Sequence, residues 1–220
     1  MVKTCAELRQ KILEEGARML GVEADEAEFD GKRVFVPGTD KEISRTQIGW
    51  ASFEGHSKYL SACCSHSSPV SPPPFMAGMA EIDLDPETGK VEVLDYVAVV
   101  DCGTVINTNL ARVQTEGGIV QAIGMTLFEE VRHDARGRLM NDSFLTYKIP
   151  TRLEAGTIRV EFDSSYEPTG PFGAKSIGEL VINTPAPAIT EAIRRATGIS
   201  FRSLPILPEH IAMALAEQKK

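Results

Sequence analysis

Residues 80–97 read AEIDLDPETGKVEVLDYV, and this stretch contains two strands and the turn between them. Polar and apolar side chains alternate over residues 80–85 and again over 91–97, which is the pattern of strands with one buried face. Residues 86–89 have the composition of a turn. The second strand continues into the apolar residues 98–100, and we expect both of its faces to be covered there before it ends at the Asp-Cys-Gly sequence that follows.

Helices and short strands surround this hairpin without a regular strand–helix–strand order. Apolar periodicity and capping residues predict helices over residues 4–20, 44–54, 107 or 109 to 130, 186–197 and from 208 onward, a small hairpin over 28–37 and a strand over 157–162. The class is therefore α+β, with helices mixed with short sheets. Residues 64–74 are rich in Pro and Ser, which predicts an irregular connection and two domains, 1–75 and 76–220.

Composition excludes several classes of function. The chain has 220 residues, of which 42% are hydrophobic and 25% charged, as expected for a globular protein with one or two cores. With 23 basic and 31 acidic residues its net charge is −8, which argues against nucleic acid as a partner because phosphate binding needs a basic face. No apolar stretch approaches the roughly 20 residues of a membrane span, and no export signal begins the sequence, so we expect a cytoplasmic protein without a membrane partner.

The four cysteines give no support for a metal site or a disulfide framework. Cys5, Cys63, Cys64 and Cys102 form no Cys-x-x-Cys pair and have no histidines at zinc-site spacing. The adjacent Cys63 and Cys64 would point to opposite faces of a strand, so they are poorly placed to hold one ion together. We expect ordinary thiols and no metal ligands among the side chains.

Two stretches concentrate unusual residue choices, QTEGG at residues 114–118 and GAKSIGE at 173–179. Glu179 follows a glycine-punctuated loop and precedes an apolar triplet, so partial desolvation would suit it to general-base catalysis. On these residues alone other roles stay open: Glu179 as a solvated loop residue or helix-cap partner, Lys175 as a surface lysine, and Gln114 as a hydrogen-bond partner of a neighbouring loop.

Glycine is also frequent in the helix that contains the first of these stretches. Gly117, Gly118 and Gly124 each cost a helix about 1 kcal/mol relative to alanine. Such glycines indicate either tight helix packing or a neighbouring backbone or ligand that comes too close for a side chain.

Several separated motifs resemble one family. GPFGAKSIGE at 170–179, APAI at 186–189 and LPI at 204–206 are similar to the carboxy-terminal end of the molybdenum-binding subunit of the xanthine dehydrogenase/aldehyde oxidase family. EIDLDPETG at 81–89, DCG with a following Ile-Asn at 101–107, and QTEGG with Gln121 and Gly124 agree with it in the same order. The similarity covers nearly the whole chain and is weakest over residues 22–75.

The resemblance implies roles for individual residues. Glu179 matches the family's catalytic base, which takes a proton from the oxygen that attacks an electron-poor carbon of a heterocycle or aldehyde. Gln114 matches a glutamine beside the molybdenum cofactor, and the backbone of Lys175, Ser176, Ile177 and Gly178 would approach the pterin. No side chain need ligate the metal, because the pterin dithiolene does so. The sequence departs from the family at Leu180, where proline is usual, and at Val113, where glycine is usual.

The resemblance also implies cofactors and partners. The family's subunit is several times longer than this chain, and its earlier part supplies most of the cofactor cradle. Residues 1–75 would then be part of a first molybdopterin-binding subdomain, and 76–220 the C-terminal one. We expect a fragment or split subunit of a hydroxylase of purine-like N-heterocycles or aldehydes, inactive without companion chains.

In this interpretation the molybdenum-molybdopterin cofactor, either plain or as the cytosine dinucleotide, is shared with a companion chain that carries the N-terminal part of the subunit. The [2Fe-2S] and FAD groups belong to iron-sulfur and flavin partner subunits. The alternative is a non-catalytic remnant or assembly domain that binds no cofactor alone. Glu179 together with Gln114 favours the enzyme, since a remnant has no physical reason to keep both groups.

Overall fold

The computed structural model describes residues 1–54, 60–65 and 67–218, and it divides into two compact units, Met1–Ser67 and Ser68–Lys220. The division falls inside the Pro- and Ser-rich connection at 64–74, whose described residues contain no helix or strand, as predicted. Residue 66 of this connection lies outside the described part of the chain.

The first unit contains two helices and a small sheet. Its elements are α1 (Val2–Leu20), β1 (Glu28–Phe29), β2 (Arg33–Phe35), β3 (Glu42–Ser44) and α2 (Arg45–Phe53). The three strands form an antiparallel sheet in the order β1-β2-β3. Ala17, Val34 and Ile48 are buried in its core. Ser44 caps α2, as predicted, by accepting a hydrogen bond from the backbone N–H of Gln47.

The second unit packs helices against a three-stranded sheet. Its elements are β4 (Phe75–Leu84), β5 (Val91–Asp101), α3 (Thr108–Leu127), β6 (Thr157–Phe162), α4 (Pro185–Thr197) and α5 (Pro208–Gln218). The strand order is β4-β5-β6; β4 is antiparallel to β5, and β5 is parallel to β6. The parallel pair requires a crossover connection, which α3 and residues 128–156 provide. The α+β class is confirmed.

The core of this unit lies between the helices and one face of the sheet. Tyr96, Ile119, Ile123, Ile189 and Ile211 are fully buried in one apolar cluster. Burial along β5 alternates, and Val99 is 43% exposed. The expectation that both faces of β5 are covered is therefore wrong for this chain.

A β-bulge changes the register of the central hairpin. Glu81 pairs with Asp95 and Ile82 pairs with Val93, so Leu94 has no partner on β4. The extra residue moves the buried set of β5 from Val91 and Val93 to Tyr96, Ala98 and Val100. The sequence predicts the two strands but not this change of face.

The helix ends follow the predictions closely. Asn107, not Asn109, caps α3, and its side-chain oxygen accepts from the N–H of Leu110 at 3.0 Å. This helix ends three residues before Glu130, because the N–H groups of Phe128 and Glu129 both donate to the Gly124 carbonyl. Among the described helices, none combines the length and the apolar composition needed to cross a bilayer. The cytoplasmic location stays a prediction.

Candidate active site

The Gly-Glu loop, which we define as residues 170–179, is attached to the residues that follow β5. Gly103 forms an isolated antiparallel bridge with Ala174. On either side of it, the N–H of Thr104 donates to the Gly173 carbonyl at 2.8 Å and the N–H of Lys175 donates to the Cys102 carbonyl at 2.7 Å. A Cβ on Gly103 would lie 2.3 Å from the Gly173 oxygen, and its φ is +68°, so only glycine fits this approach.

A largely buried ion pair reinforces this attachment. Lys175 Nζ lies 2.6 Å from Asp101 Oδ2, and the two side chains are 8% and 19% exposed. The Ser165 hydroxyl and the Gly103 N–H both donate to the other carboxylate oxygen, at 2.6 and 2.9 Å. These donors, with Lys175 first, lower the pKa of Asp101 to about 2.

Helix α3 brings Gln114 to the other end of the loop. The side-chain amide nitrogen of Gln114 donates to the Gly178 carbonyl at 3.0 Å. Just beyond Glu179, residues 180–182 form a 3-10 turn that packs on α3, and a Cβ on Gly118 would lie 2.2 Å from Val181 Cγ2. Gly118 thus permits close packing of Val181 against α3, as the glycines of this helix indicated. Two predicted site positions, Gln114 and the Gly178–Glu179 pair, are adjacent in the structure.

Glu179 stands at the start of that 3-10 turn with an exposed side chain. Its carbonyl accepts from the N–H of Ile182 at 3.2 Å, which fixes the backbone on one side of the residue. The apolar triplet after it turns toward the core, and Val181 is fully buried there. The partial desolvation expected for the carboxylate is therefore not provided by this chain.

The loop between its two attachments is rich in unused donors. Within the described part of the chain, the backbone N–H groups of Ser176, Ile177 and Gly178 have no acceptor, whereas the N–H of Lys175 is occupied by Cys102. Positions 117 and 178 have open space where a Cβ would be, with no described atom within 4 Å. A row of free donors next to an amide and two open glycines fits a polar, planar group such as a pterin. Lys175 differs from its three neighbours, since neither its N–H nor its side chain is free.

The sequence did not predict a role for some residues of this arrangement. The roles of Asp101 and Ser165 are shown by their contacts in the structure, Asp101 with Lys175 and Ser165 with Asp101. The Asp-Cys-Gly sequence at the end of β5 could have indicated Asp101. Phe75, at the start of β4, has its ring centroid 5.3 Å from Lys175 Nζ. Among the described residues, no group of three or more His, Cys, Asp or Glu side chains is arranged to hold a metal ion.

Comparison with known proteins defines the class. The model of the molybdopterin cofactor-binding domain matches residues 1–155 of this chain. The probable hypoxanthine oxidase XdhD of Escherichia coli is 34% identical over 220 residues, covering 94% of this chain and 22% of that protein. The chain therefore belongs to the molybdenum-binding subunits of the xanthine dehydrogenase/aldehyde oxidase family, and the predicted resemblance is confirmed.

Further relatives agree with this assignment. The 6-hydroxypseudooxynicotine dehydrogenase complex subunit gamma of Paenarthrobacter nicotinovorans is 30% identical, covering 89% of this chain and 26% of that subunit. The crystal structure of quinoline 2-oxidoreductase from Pseudomonas putida 86 superposes with a TM-score of 0.67 and 27% identity, covering 96% of this chain and 28% of that one. The chain thus spans about a quarter of the length of these relatives.

Proposed function

We propose that this chain is the C-terminal part of a molybdenum hydroxylase, in which Glu179 acts as general base. The observation that carries the proposal is the hydrogen bond from Gln114 to the Gly178 carbonyl, which places an amide from α3 directly beside the Gly-Glu pair. The molybdopterin cofactor-binding domain, whose model matches residues 1–155, supports the cofactor class.

Each part of the loop has a distinct task in this proposal. The N–H groups of Ser176, Ile177 and Gly178 and the amide of Gln114 would hold the pterin; when bound, the molybdenum centre supplies the two-electron oxidation. A carboxylate oxygen of Glu179 accepts the proton of the attacking oxygen nucleophile. Because Glu179 is exposed in this chain, a neighbouring polypeptide must exclude water from it.

The length of the chain relative to its relatives supports companion chains in this proposal. The matched part is 22% of one relative and 28% of a solved one, so most of a complete subunit lies outside this chain. We propose a companion that carries the N-terminal part and shares the cofactor, with iron-sulfur and flavin subunits to remove electrons. A relative named as a subunit of a dehydrogenase complex supports such an assembly.

The preferred substrates in this proposal are purine-like N-heterocycles, with aldehydes as the second class. The names of two similar proteins, a probable hypoxanthine oxidase and a quinoline oxidoreductase, favour N-heterocycles. The cofactor is the plain molybdopterin or its cytosine dinucleotide form. The rival proposal, a non-catalytic remnant, gives no reason for Gln114 to meet the Gly-Glu pair.

The test is Glu179→Gln in the assembled complex. Removing one positioned general base should lower the hydroxylation rate by about 10² to 10⁴, because the amide cannot accept the proton. Molybdenum content should be unchanged, since the side chain is not a metal ligand in this proposal. Glu161→Gln, an exposed glutamate on the edge strand β6, is the matched control and should keep the wild-type rate. Near-normal turnover by Glu179→Gln would exclude Glu179 as the base.

A further inference from the structure

We propose that Asp101 and Lys175 are positioning residues, and that their largely buried ion pair sets where the Gly-Glu loop holds Glu179. This inference rests on the proposed function for its catalytic consequence. Its structural part, that the pair keeps the loop attached to the residues after β5, stands on the contacts of this chain alone.

Hydrogen bonds to both of its oxygens fix the orientation of the Asp101 carboxylate. Asp101 Oδ2 accepts from Lys175 Nζ at 2.6 Å, while Oδ1 accepts from the Ser165 hydroxyl and from the Gly103 N–H. Gly103 lies two residues after Asp101 in the same segment, whereas Ser165 lies in the segment that follows β6. The carboxylate therefore joins three segments of chain, and the lysine is the member that belongs to the Gly-Glu loop.

The pair acts on a short span of backbone. Lys175 is held through its N–H and its side chain, and Gly178 is held through its carbonyl by Gln114. Only Ser176 and Ile177 lie between these two attachments, and no described residue accepts a hydrogen bond from their N–H groups. A shift of Lys175 would therefore move the N–H groups of Ser176 and Ile177 directly, and it would reach Glu179 through the Gly178 backbone that Gln114 holds.

Charge makes the attachment specific. An apolar side chain at position 175 could be buried in several positions, because its contacts have no preferred direction. An ammonium that must lie within hydrogen-bond distance of one carboxylate oxygen is restricted to one position. Buried ion pairs contribute little net stability relative to apolar packing, and a role in fixing one arrangement is their better-supported use. The nearby Phe75 ring, 5.3 Å from Nζ, adds a second favourable contact for the cation.

Hydrogen exchange on the full chain tests the structural part. Lys175→Met and Asp101→Asn should each speed exchange of the amides at Thr104 and at position 175 by tenfold or more, since these two amides make the hydrogen bonds next to the pair. Lys175→Arg should stay within about threefold of wild type. Lys90→Met, which breaks an exposed lysine–glutamate pair near the far end of β5, is the matched control and should leave both amides unchanged.

Activity of the assembled enzyme tests the catalytic part. Lys175→Met should lower kcat by about 10- to 100-fold, because a displacement of about 1 Å in a reacting group can cost that much, while KM changes less than threefold. The double variant Asp101→Asn/Lys175→Met removes both charges together. It should recover the unfolding midpoint lost in the single variants but not kcat or the two protected amides.

The outcomes separate the two claims. Unchanged exchange at both amides in Lys175→Met overturns the proposed positioning, whatever the activity. Full recovery of kcat in the double variant also overturns it, because the pair would then matter only for stability. An assembled wild-type complex without hydroxylase activity contradicts the proposed function, and the exchange result then decides the structural part on its own.

Discussion

Asp101 allows a prediction for a single residue. Its pKa is lowered to about 2 in the folded protein by Lys175 and Ser165, against a usual value near 4. A carboxyl group with a lowered pKa stabilises the fold above its usual pKa, and this stabilisation is lost as the pH falls through 4 toward 2. We therefore expect Asp101→Asn to be less stable than wild type at pH 7, with the difference shrinking between about pH 4 and pH 2.

Urea unfolding midpoints measured from pH 7 down to pH 3 check this expectation. Glu191→Gln is the control, since the pKa of Glu191 is also lowered to about 2 but its arginine partners are exposed. Exposed pairs contribute little to stability, so this variant should differ from wild type much less at pH 7. A stability difference for Asp101→Asn that stays constant down to pH 3 would contradict the assigned cause.

The role of Gln114 was only partly predictable from the sequence. Its sequence context left two alternatives open, a cofactor-side amide and a hydrogen-bond partner of a neighbouring loop. The structure shows the second, and the loop in question is the Gly-Glu loop, so the two alternatives are compatible. The sequence left open that Glu179 is a solvated loop residue, and the structure agrees with that alternative, because Leu180–Ile182 turn toward the core instead of surrounding the carboxylate.

Helix α3 provides a matched pair of adjacent glycines. A Cβ at position 118 would meet Val181 at 2.2 Å, whereas position 117 has open space. Gly118→Ala should therefore destabilise the chain, because Val181 is fully buried and cannot move away cheaply. Gly117→Ala should stabilise it by up to about 1 kcal/mol through helix propensity.

Thermal unfolding of the full chain measures both effects, and the assembled complex gives a further comparison. If a pterin or a companion chain approaches α3 at Gly117, the alanine variant should bind less molybdopterin in the complex despite its higher stability alone. Equal stability changes for the two alanine variants would contradict the packing of α3 on residues 180–182. Wild-type molybdopterin content in Gly117→Ala would show that nothing outside this chain needs that space.

At the level of elements, periodicity and caps predicted most of the fold. The ends of β6 and the caps of α2 and α3 follow from local residues, since these depend on side chains within a few positions. The bulge at Leu94 was not predicted, because the sequence V-E-V-L-D-Y-V alternates acceptably in either register. The coverage of β5 was also mispredicted, since helices α3, α4 and α5 pack on the face that buries Tyr96, Ala98 and Val100, while Val99 on the other face is exposed.

The surface of the second unit carries one segment in which exposed apolar side chains are frequent. Residues 139–153 contain six exposed large hydrophobic side chains, namely Leu139, Met140, Phe144, Leu145, Ile149 and Leu153. Single exposed apolar residues are common on soluble proteins, but several in one segment indicate an interaction site. The chain spans about a quarter of the length of its relatives, and we propose this segment as the surface that the companion chain would cover.

The last prediction concerns that segment. Phe144 and Leu145 are 83% and 91% exposed, so Phe144→Ser/Leu145→Ser removes apolar surface without disturbing the core. We expect the wild-type chain to self-associate when purified alone, as exposed apolar surface is buried between copies, and the double variant to do so less. Sedimentation velocity over a range of concentrations measures this, with Met213→Ser on α5, where the side chain is 64% exposed, as a control outside the segment. With the companion present, the double variant should assemble at least tenfold more weakly than this control. Two results together would contradict the prediction: a wild-type chain that stays monomeric alone, and a double variant that assembles with the companion as well as the control does. They would show that the segment is not where the companion binds.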